Sequence, residues 1–395
     1  MVYPSYAASV SASTGRTIVT KICPMEDDAF DHTAALCDIT SKFSGHITVK
    51  LHRNANICEN ALSKTLFMFI IFFSIFACTL VFIGMKMLQK NELKSQILTS
   101  EQKSYSQNLQ GVISQSVEIA KDIMKKHNLV LFTLINNAYL PFVYSWLCNT
   151  INMGIHEQIL FITTDAISKQ QFEKDWPNVK VVVLPETSLN GNQTYSKVGY
   201  VKLMVKRTEI LNSLLQNDIE ILLFEVDCLW VSNPIDECKK IALKNDMIVT
   251  CIAGRKRSIA GGFIYMKPTN AVKTLWQELN SKMRRLGKEI DGKDDKKAVS
   301  EGKNDQIFFM GLIQKKFGGI KYEVLPRDRY IDGKWYEMKL ENRQKKHVVI
   351  INNNWVVGNA KKLKRAKKFG HWFIDDSMKC KMDQVDRIVY RGLYV

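Results

Sequence analysis

The chain has 395 residues, enough for one large or two modest domains, and its 46% hydrophobic and 24% charged content is that of an ordinary folded protein. Its 56 Lys and Arg against 39 Asp and Glu leave a formal net charge of +17, which draws nucleic acid, anionic membrane or phosphorylated ligands without choosing among them. No zinc-finger spacing, RNA-recognition signature or basic zipper accompanies that charge, so no nucleic-acid partner is expected. No CxxC pair occurs among the nine cysteines, which argues against structural zinc and thioredoxin-like redox chemistry.

In chain order, residues 1–64 are rich in Ser, Thr and Ala and only weakly periodic, and predict a largely disordered tail. Thr65–Met85, TLFMFIIFFSIFACTLVFIGM, runs 21 residues without a charge. As a helix it is about 30 Å long, the thickness of a bilayer core, which predicts one transmembrane span over residues 65–85. A secretory signal is not expected, because residues 1–30 lack an apolar core. Lys50, Arg53 and Lys64 flank the span on one side and Lys86, Lys90, Lys94 and Lys103 on the other. The positive-inside rule therefore leaves orientation open, with a slight lean toward a cytoplasmic carboxyl side. The sequon Asn192-Gln-Thr194 instead requires a lumenal carboxyl side if Asn192 is glycosylated. Five cysteines lie beyond the span (Cys148, Cys228, Cys238, Cys251 and Cys380). A lumenal disulfide or two is expected, with one thiol left over and the pairing open.

Residues 86–126 are polar with scattered apolar positions and predict a helical stem. From His127 the pattern changes. Apolar runs at Leu129–Ile135, Gln158–Thr163, Val179–Leu184, Ile219–Glu225, Met247–Ile252 and Gly262–Lys267 predict strands. Between them Leu140–Met153, Ala166–Trp176, Val198–Gln216, Ile235–Lys244 and Asn270–Leu286 predict helices. That alternation makes an α/β fold with a mostly parallel sheet flanked by helices. Gly287–Asn304 is charged and glycine-punctuated, and is expected to be a mobile loop.

The stretch from Ile219 to Pro234 carries most of the chemical information. Its apolar run ends in Glu225 and Asp227, one residue apart, so both carboxylates leave the strand on the same side. Acids at the carboxyl end of a buried strand suit a hard divalent cation that also meets a substrate's phosphates. The plainer reading is an acidic strand end facing solvent. Other pieces follow in order: Tyr200-Val-Lys202 with Lys206-Arg207, the glycine hinge Gly261-Gly262, Asn304-Asp-Gln306, Gly333-Lys-Trp-Tyr336, and Asn352-Asn-Asn-Trp-Val-Val-Gly358 with Lys361 and Lys362. His127, His156, His347 and His371 form no metal spacing, and no Gly-x-Ser-x-Gly or Walker loop occurs.

This series resembles the nucleotide-diphospho-sugar transferase family, glycosyltransferases of the GT-A fold, from about Asn128 to Trp372. The resemblance implies a GT-A domain over residues 127–395 that moves a sugar from a nucleotide-diphosphate donor, a UDP-sugar first of all, to a hydroxyl of a glycan or glycoprotein. It implies Mn²⁺ or Mg²⁺ as cofactor, held by Asp227 and Glu225 at the family's DxD position. Asn136 and Asn137 match the place where such folds meet the nucleoside, or are a plain strand-to-helix turn. Lys202 matches a basic position that offsets donor charge, Gly261 and Gly262 let the backbone approach the sugar, and Asp305 and Gln306 face the transferred sugar. Gly358 with Lys361 or Lys362 reads as a loop closing over the leaving diphosphate. One departure stands out: Asn352 lies where the family commonly has a metal-ligating His, and its carbonyl oxygen is a weaker ligand than imidazole.

Together these readings predict a single-pass type II protein of the Golgi or ER, with a cytosolic amino tail and a lumenal catalytic domain. Retention or inversion stays open, with the resemblance leaning to retention. Two alternatives remain. One is a GT-A-fold subunit that binds or chaperones without turnover. The other is a cytosol-facing basic protein that binds anionic lipid or RNA.

Overall fold

The computed structural model describes residues 55–252 and 258–392. The expected disordered tail therefore lies outside the described residues as far as residue 54. Two compact units divide the chain, Met1–Met87 and Leu88–Val395. Helix α1 spans Ala55–His127, starting ahead of the expected membrane span. Within it Leu66–Leu93, of mean hydropathy 2.8, is long and apolar enough by length and composition to cross a membrane. Its Leu, Ile and Phe side chains are exposed, as a lipid-facing surface requires.

The second unit begins well before the expected boundary at residue 127. Leu109, Val112, Ile113, Val117, Ala120 and Ile123 are buried at the three- and four-residue spacing of one helix face. They pack into the same core as the sheet, so the last turns of the expected stem belong to the globular unit.

Its strands are β1 (Val130–Ile135), β2 (Ile159–Thr163), β3 (Lys180–Val183), β4 (Ile221–Leu223), β5 (Leu229–Trp230), β6 (Met247–Cys251), β7 (Ile259–Met266), β8 (Tyr322–Val324), β9 (Tyr330–Ile331) and β10 (Ile350–Ile351). Seven form one sheet in the order β3-β2-β1-β4-β7-β6-β8. The pairs β1–β2, β1–β4, β2–β3 and β6–β8 are parallel, while β7 runs antiparallel to both β4 and β6. The mostly parallel α/β architecture is thus as expected. The first strands read as unbroken apolar runs because both sheet faces are covered. Leu129, Leu131 and Ile135 enter one core and Val130 and Phe132 the other.

The covering helices are α2 (Leu140–Asn149), α3 (Ala166–Asp175), α4 (Val198–Gln216), α5 (Ile235–Ala242), α6 (Asn270–Ile290), α7 (Asp305–Gln314), α8 (Leu340–Gln344), α9 (Asn359–Lys368) and α10 (Met382–Val385). Local caps set several starts. Asp165 accepts from the Ser168 N–H at 2.7 Å, and Asn304 from the Ile307 N–H at 2.9 Å. Gly287–Asn304 departs from expectation. Helix α6 continues to Ile290, and the remaining loop is pinned to the start of α4. The Val198 and Gly199 N–H groups donate to the Lys297 and Asp295 carbonyls at 3.0 Å. Lys202 pairs with Asp295 at 2.7 Å.

Strands β5, β10 and β9 form a second, three-stranded sheet that the sequence pattern does not reveal. Each has only two residues, too few to show a period. Asn149 on α2 locks β5, exchanging two 2.8 Å hydrogen bonds with the Trp230 backbone. A Cys148–Cys380 disulfide ties α2 to the carboxy-terminal segment. Cys228, Cys238 and Cys251 are buried and unpaired, so one disulfide and three thiols stand where one or two disulfides and a single leftover thiol were expected beyond the span. The bond closes a loop with a sequence separation of 232. Cys380→Ser should cost about 2–4 kcal/mol, read as a lower melting temperature of the detergent-solubilised chain, and reductant should reproduce the shift in wild type.

Candidate active site

The ladder bonds of β4 end at Leu223, earlier than the sequence suggests, but the side-chain alternation carries on. Leu222, Phe224 and Val226 enter one core and Ile221 and Leu223 the other, so Glu225 and Asp227 emerge on the Leu223 side. The chain then turns, with the Cys228 N–H 3.4 Å from the Glu225 carbonyl, and enters β5. The acids therefore sit where one sheet hands the chain to the other. Asp227 is buried, and Glu225 stays partly open to a pocket. Burial, then the like charge of Asp227, pushes the Glu225 carboxyl above its usual range, against the pull of Lys362 and Arg207.

Strand β10 and the segment after it complete the site from the other side. Pairing of Ile350 with Trp230 and Ile351 with Leu229 delivers Asn352 to the acids, where its Nδ2 donates to Glu225 Oε2 at 3.0 Å. Trp355 and Gly358 then adopt positive φ of 65° and 92°, the second a conformation that favours glycine. Asn359 Nδ2 donates to the Ala138 carbonyl at 3.0 Å, which holds this loop against the end of β1. One turn into α9, the Lys362 ammonium reaches Asp227 Oδ2 at 2.5 Å. Burial opposes that charge, but Asp227 and Glu225 outweigh it and hold the lysine above its usual pKa. Lys361, the other expected candidate, is exposed.

A pocket with about 630 Å³ of open space lies beside the acids, lined by Thr133, Asn136, Tyr139, Tyr200, Arg207, Glu225, Asp227 and Lys362 among others. Asn136 is 2% exposed and donates to the Leu189 and Gly191 carbonyls at 3.0 and 2.6 Å. Its Oδ1, buried and unbonded within the protein, is free to accept from a ligand. Asn137 is exposed and accepts from the Gly191 N–H at 2.7 Å, so it braces the loop and does not line the pocket. Asn192, next along, is exposed.

Lys202 is not brought to the pocket, because its ammonium is engaged by Asp295. The α4 face that points inward carries Tyr200, Leu203, Met204 and Arg207. That i, i+3, i+4, i+7 spacing was visible in the sequence and picks Arg207 as the basic residue of the site. Arg207 pairs with Asp305 at 2.5 Å, each side chain 11% exposed. Burial opposes the guanidinium charge, but Asp305 outweighs it and holds the arginine pKa up. Asp305 opens α7 beside Gln306, whose Oε1 lies 3.4 Å from the Gly261 N–H. A Cβ on Gly262 would meet the Glu225 carboxylate at 2.2 Å, so glycine is what lets that carboxylate lie on β7. Lys202, Asn137 and Lys361 aside, the expected donor, sugar and metal residues gather around the acids. His371 joins no metal set: it is buried, burial holds it down to about 3, and it hydrogen-bonds the Tyr336 hydroxyl at 3.0 Å.

The residues fit a divalent cation. Glu225, Asp227 and Cys228 present ligand atoms within 4.8 Å of one another. Asn352 Oδ1 is buried without a hydrogen-bond partner, and a rotated amide would offer it as a further oxygen ligand of the kind hard cations take.

A family model described as nucleotide-diphospho-sugar transferase matches residues 154–366. The chain is 22% identical over 275 residues to UDP-D-xylose:L-fucose alpha-1,3-D-xylosyltransferase 1 of Arabidopsis thaliana, covering 65% of this chain and 74% of that protein. It is 23% identical over 279 residues to UDP-D-xylose:L-fucose alpha-1,3-D-xylosyltransferase MGP4 of the same plant, covering 66% and 74%. Among solved structures, the glycosyltransferase GlyE of Streptococcus pneumoniae superposes with a TM-score of 0.39 at 12% identity, over 67% of this chain and 65% of that one.

The raised Glu225 pKa carries a sign. A carboxyl whose folded pKa exceeds its unfolded value makes the fold less stable at neutral pH and more stable as pH falls through the folded pKa. Glu225→Gln should therefore melt above wild type at pH 7 in chelator, by a margin that shrinks as the pH is lowered. The same variant should lose any thermal stabilisation by a divalent cation.

Proposed function

The chain belongs to the nucleotide-diphospho-sugar transferase family, and from that premise we propose that it moves the sugar of a UDP donor to a hydroxyl of a glycan or glycoprotein. The observation that carries this reading is the convergence of Asp227, Glu225 and Lys362 on one pocket, with Asn352 bonded to Glu225. A divalent cation such as Mn²⁺ or Mg²⁺, held by Asp227, Glu225 and the Asn352 carbonyl, would screen the pyrophosphate and make it a better leaving group. Lys362, on the first turn of α9, is the group to meet the charge left on the departing diphosphate. Arg207 and Asp305, already paired, present Asp305 and Gln306 to the sugar and keep their hydrogen-bonding atoms oriented. Asn136 Oδ1 suits a nucleobase N–H, which uracil has. The xylosyltransferases named above make UDP-xylose the first donor to try.

The topology we propose is type II: a cytosolic tail over residues 1–64, a span over 65–85, a short stem, and the catalytic unit in the lumen of the Golgi or ER. The Cys148–Cys380 disulfide supports the lumenal side, because such bonds persist in oxidising compartments. Exposure of Asn192 supports it too. Asn192→Gln should shift the protein from secretory membranes to the mobility that glycosidase-treated wild type shows; an unshifted band would count against lumenal glycosylation at this site.

A second reading, a subunit that binds donor without turnover, is favoured by the Asn352 amide standing where the family commonly has a His. The assay separates the two. With purified protein, Mn²⁺ and a panel of UDP- and GDP-sugars, one donor should release its nucleotide, and chelator should stop it. Asp227→Asn should lower the rate on the order of 10²- to 10³-fold. Cation-dependent donor binding with no hydrolysis and no transfer to any hydroxyl acceptor would establish the binding subunit instead.

A further inference from the structure

The turn that carries the two acids also carries a thiol. Cys228 is buried and outside any disulfide. It lines a small cavity of about 20 Å³ with Asp227 and Asn353, and Asp227 also lines the donor pocket. Its sulfur and the carboxylate oxygens of Glu225 and Asp227 all lie within 4.8 Å of one another. Metal–sulfur and metal–oxygen bonds put atoms that share one tetrahedral cation roughly 3–4 Å apart, so a small inward movement closes the set. The β5–β10 register, Ile350 with Trp230 and Ile351 with Leu229, sets Asn352 across from Cys228 when carried one step on. Thiol, acids and amide oxygen are therefore delivered to one point by the junction of the two sheets.

Carboxylate and carbonyl sets suit Mg²⁺ and Mn²⁺, whereas sulfur ligands draw thiophilic ions. With Asn352 in place of an imidazole, the site has lost a nitrogen ligand, and Cys228 is the strong donor left within reach. We propose that Cys228 is a protein ligand of the divalent cation alongside Glu225, Asp227 and Asn352, and that its sulfur gives the site a higher affinity for thiophilic ions such as Zn²⁺ or Co²⁺ than the oxygen ligands alone would. This rests on the metal-assisted transferase reading of the same site. On binding, the thiol proton leaves to solvent and a sulfur–metal bond forms; nothing is oxidised or reduced.

The test is optical. Co²⁺ is titrated into the detergent-solubilised full chain after chelation, with and without UDP, for wild type, Cys228→Ser and Cys238→Ser. The expected result is a saturable sulfur-to-cobalt charge-transfer band in the near ultraviolet that survives Cys238→Ser and vanishes in Cys228→Ser. Zn²⁺ affinity in Cys228→Ser should fall on the order of tenfold or more, while Mg²⁺ affinity changes far less. Zn²⁺ and Co²⁺ bind most sites better than Mg²⁺ does, so the selective loss is the diagnostic result, whatever the order of affinities. Saturable cobalt binding without the charge-transfer band would overturn thiol ligation and leave the carboxylate site standing. No saturable cobalt binding by wild type would overturn the thiol ligand and the metal reading beneath it together.

Discussion

Two carboxylates forced close together in a largely dry turn are the constraint on which the rest of this structure depends. Glu225 and Asp227 repel each other, and burial strengthens that repulsion because little water screens it. The fold answers with cations brought from distant parts of the chain. Lys362 comes from α9, 135 residues away, and bonds Asp227. Arg207 comes from α4 and meets Asp305 at the rim of the same pocket. Gly262 contributes by lacking a side chain, since a Cβ there would collide with the Glu225 carboxylate. Two like charges so placed gain by the approach of any cation.

Delivering Lys362 sets demands on the carboxy-terminal third. Helix α9 must stand still for its lysine to reach Asp227, and it is braced along its length. Arg365 Nε donates to Asn353 Oδ1 at 2.7 Å, Asn353 Nδ2 donates to the Lys362 carbonyl at 3.1 Å, and the Arg365 guanidinium lies 4.4 Å from the Tyr336 ring centre. Behind α9, Tyr336, Phe369 and His371 form a packed aromatic group. The segment that follows is fastened to α2 by the Phe373 N–H donating to Ser145 Oγ at 3.0 Å and by the disulfide. Asn149, one residue beyond Cys148, holds β5. Helix α2 is thus bonded both to the strand that follows the acid turn and to the carboxy-terminal segment.

Much of this was legible in the chain. Strand positions β1, β2, β6 and helix α4 follow from apolar runs and helical spacing, because those elements bury whole faces and their side-chain types record it. Glu225 with Asp227 was legible because strand alternation persists past the last ladder bond at Leu223. Lys202 misled because a basic residue near a site is ambiguous until its partner is known, and Asp295 lies in a loop whose path no local pattern predicts. The two-residue strands β5, β9 and β10 left no periodic trace, so Asn352 was placed at the acids only through the family resemblance, and the approach of the Cys228 sulfur was not foreseen.

The amino-acid sequence by itself determined the apolar helix, the α/β alternation, the family and the two acids, since each is written in the order of neighbouring residues. Only tertiary structure decided that Arg207 and not Lys202 faces the pocket, that Lys362 and not Lys361 meets Asp227, that Cys148 pairs with Cys380, and that a thiol stands close to the carboxylates of Glu225 and Asp227. Those outcomes depend on pairing between segments from 80 to more than 200 residues apart, where local preference is silent and packing and charge compensation choose the partner.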